Sequence, residues 1–167
     1  MRQITFICVF LFITSVLPIS SEAGQNSRSR YPAFVIKILD GDTFEVVEGR
    51  ARQRIRLWGI DTPEWDQPFS LEAKKYLKSI LYHRQIEVEP LYRDTYGRLV
   101  ARIFLHGKCV NRELVKDGYA WVHVYFCKEK ICSSWKKLEE NAKLAKTGLW
   151  GSGDAVAPWQ WKRLKNK

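Results

Sequence analysis

The sequence predicts an α+β fold: an OB-type, five-stranded Greek-key β-barrel carrying three helices. Three alternating apolar stretches joined by tight turns run from Ala33 to Ile60. An amphipathic helical stretch follows, and two more alternating stretches come after it. Five strands with a helix between the third and fourth is the element order of a small Greek-key barrel whose open face commonly binds nucleic acid. Element order by itself assigns no function.

The first strand is "AFVIKIL", beginning at Ala33, and "DGD" (Asp40 to Asp42) turns the chain into "TFEVVE". There Phe44 and Val46 alternate with Glu45 and Val47, the pattern of a half-buried hairpin partner. Gly49-Arg50 turns the chain again, and "RQRIRLWGI" ending at Ile60 is the third strand, so the three form a meander. In "SLEAKKYLKSIL" (Ser70 to Leu81) the period changes. Leu71, Lys74, Tyr76, Leu77, Ile80 and Leu81 recur at helical spacing, with Ser70 placed as the N-cap. "QIEVEPLY" restores alternation, "DTYGR" (Asp94 to Arg98) turns, and "LVARIFL" is the fifth strand. "VNRELVKDGYAWV" reads as a short helix capped by Asn111 and stopping near Gly118. "SSWKKLEENAKLAKTGLW" is an amphipathic helix that Gly148 terminates. No repeat, low-complexity block or linker interrupts residues 32–150, which read as one domain. Residues 24–31 read as a polar, flexible leader. The tail 151–167 is aromatic and then basic, packing through Trp159 and Trp161 with its lysines in solvent.

Residues 1–23 read as a secretory signal rather than as part of the fold. Arg2 precedes the apolar run Ile4 to Pro18, and Ser21-Glu22-Ala23 offers a cleavage site after Ala23. The run is too short and too early to favour a permanent span, although an uncleaved anchor stays open. The expected location is therefore secreted or periplasmic, with no stable membrane association. Cys8 falls in this segment and leaves Cys109, Cys127 and Cys132. Of these, Cys127 and Cys132 are the nearest pair and the favoured bridge in an oxidising compartment. With no second such pair, and with His83, His106 and His123 scattered, a zinc site is disfavoured.

The 167-residue chain carries 28 Lys+Arg against 18 Asp+Glu, a formal net charge of +10, which biases its partners towards polyanions. Against this basic background three carboxylates stand out: Asp42 between the first two strands, and Asp61 and Glu64 just after the third. If those strands are neighbours, the three converge at one end of the barrel. Such crowding is unfavourable without a cation or a bound proton, and oxygen donors suit Ca²⁺ or Mg²⁺. Taken alone, "DGDT" is also an ordinary hairpin turn and Thr62-Pro63-Glu64 an ordinary turn or helix start. Arg54 and Arg56 share a strand face, and Arg98 opens the fifth strand. Phosphodiester hydrolysis needs an activated water and cations on the transferring phosphoryl group. A metal at Asp42 and Asp61, a carboxylate base and two guanidinium forks would supply both. Arg50, Arg52 and Arg54 read as solvated surface charges.

The chain resembles the staphylococcal nuclease (thermonuclease) family from about Ala33 to Trp150. The resemblance rests on "DGDT" (Asp40 to Thr43), "RLWGIDTPE" (Arg56 to Glu64), "DTYGR" and "VNRELVKDGYAWV" (Val110 to Val122), in that order. It implies an OB-fold barrel with three helices and a Ca²⁺-dependent nuclease acting on DNA and RNA, cleaving the 5′ P–O bond to leave 3′-phosphate ends. It implies metal ligation by Asp42, Asp61 and the backbone carbonyl of Thr62, with Glu64 as general base. Arg56 and Arg98 match the phosphate-binding, transition-state arginines. Tyr96 is a candidate to hydrogen-bond or stack on a nucleotide, and Tyr125 is assigned to substrate by a looser match. Tyr119 and Trp121 read as core. The chain departs from the family at Thr95, where the family has a lysine, and in a shorter Trp65 to Phe69 loop. The protein is expected to act as a monomer. Two other functions compete: a barrel that binds nucleic acid without cutting it, and a basic surface protein for glycans or lipid.

Overall fold

The structure, a computed structural model, describes residues 29–166, so the predicted signal peptide and most of the leader lie outside the described residues. Its elements in chain order are β1 (Tyr31–Ile38), β2 (Thr43–Glu48), β3 (Ala51–Leu57), β4 (Ile60–Asp61), α1 (Ser70–Leu81), β5 (Gln85–Arg93) and β6 (Leu99–Leu105). They are followed by β7 (Lys108–Cys109), α2 (Val110–Lys116), β8 (Trp121–Val122), α3 (Ile131–Leu144), a 3₁₀ turn (Gly148–Ser152) and α4 (Pro158–Lys165). β1, β2 and β3 form the expected antiparallel meander, with Phe44 opposite Ile55. β5 returns antiparallel to β1, and β6 pairs antiparallel with β5. β6 also runs parallel to β3, Arg56 lying opposite Val100, and this pairing closes the five long strands into a barrel. The predicted barrel is the observed one.

Alternation along the strands puts Val35, Phe44, Val46, Ile55, Leu57, Ile86, Val88, Ala101 and Ile103 inside, each fully or almost fully buried. Large side chains buried this way contribute on the order of 1.5–3 kcal/mol each. α1 turns Ala73, Leu77 and Leu81 inward. α3 contributes Trp135, which meets Trp58 edge-on with ring centroids 5.7 Å apart. A smaller cluster of Trp121, Ala142, Leu149, Trp150 and Ala157 fastens the C-terminal segment to α3 and β8.

Two local expectations are corrected and one is extended. Ser70 does not cap α1; Phe69 holds the N-cap position without a side-chain bond, and the Ser70 hydroxyl donates to the Trp65 carbonyl instead. Asn111 does not cap α2, which begins at Val110. Its side chain is fully buried and acts as an internal strut. The Asn111 amide donates to the Trp58 and Ala101 carbonyls, and its Oδ1 accepts the Ile103 N–H. The tail packs through its tryptophans and keeps its lysines exposed, as expected, but it is more ordered than the sequence suggested. It forms α4, and Lys162 and Lys165 pair with Glu64 and Asp66. The expected Cys127–Cys132 bridge is present, and Cys109 stays a half-buried free thiol. Trp121 is buried as expected, and Tyr119 is partly buried against the core, stacking on Tyr76.

Backbone approaches require glycine at Gly118 and Gly148. Both take positive φ, and a Cβ on either would sit 2.3–2.4 Å from a carbonyl oxygen of the other's segment. This contact locks the end of α2 against the chain leaving α3.

Asn111→Ala strands the buried Trp58 carbonyl and Ile103 N–H that only the carboxamide reaches. It should cost about 3 kcal/mol, read as a lower urea midpoint with an unchanged m-value.

Candidate active site

The "DGD" turn bends tightly enough for its centre to touch the chain beyond β4. A Cβ on Gly41 would lie 2.7 Å from the Thr62 Oγ1, so only glycine lets the turn pack there. This contact carries Asp42, 3% exposed, alongside Asp61, 5% exposed. The Asp42 carboxylate accepts the Thr43 hydroxyl at 3.0 Å and the Thr62 N–H at 3.1 Å. Arg56 lies between the two aspartates. One terminal nitrogen of its guanidinium donates to Asp42 Oδ1 and the other to Asp61 Oδ1 at 2.5 Å.

Arg98 enters from the turn before β6. Asp94 shapes that turn by accepting the backbone N–H groups of Tyr96 and Arg98, both at 3.0 Å. It also accepts the Arg98 Nε at 2.7 Å, so the terminal fork of Arg98 is left for another partner. Weak burial pushes the Asp94 carboxyl up, but these donors from Arg98 and Tyr96 outweigh it and hold the carboxyl below its ordinary range.

Glu64 follows on the loop after β4, its N–H donating to Gln67 Oε1 at 3.1 Å. One cleft of about 610 Å³ is lined by Asp42, Arg56, Asp61, Thr62, Glu64, Tyr96 and Arg98, along with Asp40, Trp65, His123, Phe126 and Lys162. Seven of the eight predicted site residues therefore meet in one place. Tyr125 does not line the cleft. It is exposed beside it, its hydroxyl taking a long contact from Arg163, while Phe126 and His123 face the opening.

A family model described as "Staphylococcal nuclease homologue" matches residues 54–152. The chain is 31% identical over 154 residues to an "Uncharacterized endonuclease" of Haemophilus influenzae, covering 92% of this chain and 85% of that protein. It is 35% identical over 132 residues to an "Uncharacterized endonuclease" of Escherichia coli, covering 78% and 84%. To a "Micrococcal nuclease" of Shigella flexneri it is 31% identical over 157 residues, covering 89% and 87%. The chain belongs to the staphylococcal nuclease homologue family.

In this staphylococcal nuclease homologue the site carries more negative charge than Arg56 can balance. Burial, and then the neighbouring Asp42, raise the Asp61 carboxyl to about 7. The same two causes, in the same order, raise Asp40 to about 6. Asp42 moves the other way. Burial opposes its charge, but Arg56, Thr43 and Thr62 together outweigh burial and hold it below the usual range. One guanidinium shared between two carboxylates ionises the better-donated one and leaves the other strained. That residual repulsion, with an all-oxygen donor set, fits a hard divalent cation. Asp42, Asp61 and the Thr62 carbonyl could hold it. Among the described residues no three His, Cys, Asp or Glu side chains form a metal-binding group. Two carboxylates and a carbonyl fall short of the roughly six to eight oxygens that Ca²⁺ takes, and water would have to supply the rest. His123 is pushed below its ordinary range by burial and then by Arg56, which leaves it neutral at pH 7.

Sequence reading missed Asp40 as a member of the charged cluster, although its place two residues before Asp42 was a signal. Trp65, Phe126 and Lys162 were also missed. Trp65 is 85% exposed on the cleft wall, and a large aromatic so placed marks a contact surface only once the fold is known.

The raised carboxyls set a pH dependence of stability. Asp40 and Asp61 hold protons in the folded state that they lose near pH 4 when unfolded. Their stabilising contribution is complete below pH 4 and is lost as pH rises through about 6 and 7. Thermal melts without divalent ions should therefore show stability falling from pH 5 to pH 8. Asp40→Asn, which keeps the acceptor for the Asp42 N–H, should reduce that fall by about a third.

Proposed function

We propose that the protein is an exported, calcium-dependent nuclease that hydrolyses phosphodiester bonds of DNA and RNA and leaves 3′-phosphate ends. The observation that carries this reading is the single cleft in which Asp42, Asp61, Glu64, Arg56 and Arg98 meet. Export is supported by the charged, apolar and small-residue pattern of residues 1–23. Among the described residues no helix is long and apolar enough to cross a membrane. The net charge of +10 favours a polyanionic substrate, and the protein acts on it as a monomer.

A Ca²⁺ held by Asp42, Asp61 and the Thr62 carbonyl would supply Lewis-acid polarisation of the scissile phosphate. The chain's own groups do the rest. Glu64, hydrogen-bonded through its backbone to Gln67, is held at the cleft wall to accept a proton from the attacking water. The water oxygen bonds to phosphorus as the P–O5′ bond breaks, and the departing electron pair stays on the 5′ oxygen. Arg98 meets that oxygen and the phosphoryl charge with the fork that Asp94 leaves free. Arg56 would supply the second guanidinium from the floor of the cleft, its terminal nitrogens turning to phosphate when a cation takes over Asp42 and Asp61. Tyr96, 82% exposed with the Arg98 guanidinium 5.3 Å from its ring, offers a face to a nucleobase. Phe126 fits the role assigned to Tyr125 better, because it lines the cleft.

Purified protein should nick and then degrade plasmid DNA and single-stranded RNA with Ca²⁺ and stop on addition of chelator. End-labelling should find 3′-phosphates. Glu64→Gln and Arg98→Ala should each lower kcat by at least about 10² without changing the melting temperature appreciably. Intact nucleic acid at saturating Ca²⁺, with binding retained, would instead favour the non-cutting barrel.

A further inference from the structure

Glu64 is held by more than its own loop. Lys162 Nζ on α4 lies 2.7 Å from Glu64 Oε1, and Lys162 itself lines the cleft. Gln67, which accepts the Glu64 N–H, is 5% exposed and donates its Nε2 to the Val156 carbonyl at 2.6 Å, in the segment that leads into α4. Next along the loop, Asp66 accepts the Trp161 indole N–H at 3.2 Å and pairs with Lys165. Four contacts therefore stitch residues 64–67 to residues 156–165. Ala157 in the small aromatic cluster, and Pro158 at the start of α4, seat the helix beneath them. All of α4 lies beyond residues 54–152, the part that the family model matches.

We infer that Lys162 is a positioning residue for Glu64, and that α4 is a clasp which sets the direction of the general base from outside the barrel. This rests on the nuclease reading above. A glutamate on an exposed loop samples several rotamers, and only some aim an oxygen at the attacking water. One ammonium donor on Oε1 leaves Oε2 as the free acceptor and removes most of that freedom. The gain is orientational, so it appears in turnover and not in substrate affinity.

Lys162→Met keeps the stem and removes the charge. It should lower kcat about tenfold with KM changed less than about twofold, and Lys162→Arg should recover most of the loss. In a Glu64→Gln background, Lys162→Met should cost nothing further, because the residue it positions is already gone. Hydrogen exchange gives a readout independent of cleavage. In Lys162→Met the Glu64 and Gln67 amides should exchange about threefold faster, with global stability unchanged. A raised KM with unchanged kcat would make Lys162 a phosphate contact, and a raised kcat would make α4 an inhibitory strap. Either result overturns the inference, as does an equal loss in the Glu64→Gln background or unchanged amide exchange. If the wild-type protein cuts neither DNA nor RNA, the nuclease reading fails, and the exchange measurement still decides the clasp.

Discussion

One guanidinium set against several buried carboxylates is the constraint on which the site depends. Arg56 bridges Asp42 and Asp61 deep in the cleft, and Asp40 adds a further acidic group nearby. A barrel of this size could fill that end with apolar side chains at lower electrostatic cost. Keeping the acids means burying carboxyls that one guanidinium does not fully balance: burial first, and then the charge of Asp42, raises Asp40 and Asp61. The local backbone exists to hold this arrangement. Gly41 lets the turn approach Thr62, the Thr62 N–H tethers Asp42, and the Leu57 N–H donates to the Asp42 carbonyl.

The barrel was legible in the sequence because its five long strands alternate and its turns carry Asp-Gly and Gly signals. The charged core of the site was legible because Asp42, Arg56, Asp61, Glu64 and Arg98 fall in short motifs close to strand ends. Other features were hidden for physical reasons. Asn111 precedes a helical stretch and looks like a cap, and only tertiary packing makes it a strut between Trp58, Ala101 and Ile103. The tail looked like a solvated basic end because lysines usually are. Its acids, Glu64 and Asp66, lie far away in sequence, and no local pattern reports such pairing. Tyr125 and Phe126 are adjacent, and which of them faces the cleft depends on the turn after His123.

That turn is itself anchored from below. Cys127 donates its N–H to the His123 carbonyl and is bridged to Cys132 at the start of α3. Gly59 leaves room for the bridge, since a Cβ there would sit 3.0 Å from the Cys127 Sγ and 3.2 Å from Trp135. The cleft thus has a floor made by the barrel and walls supplied by added pieces, the bridged turn on one side and α4 on another. The floor holds the charges, and the walls set how a substrate meets them.

The parallel seam between β3 and β6 has a further consequence. It places Arg56 opposite Val100 and Ile55 opposite Leu99, so Arg56 and Arg98, which immediately precedes β6, are spaced by a hydrogen-bonded ruler. Sliding that ruler by a single notch would swing Arg56 towards the hydrocarbon interior and bring Ile55 out to water. A mis-threaded barrel would then be unstable as well as inert. Quality control of the fold and quality control of the chemistry are, at this seam, the same test.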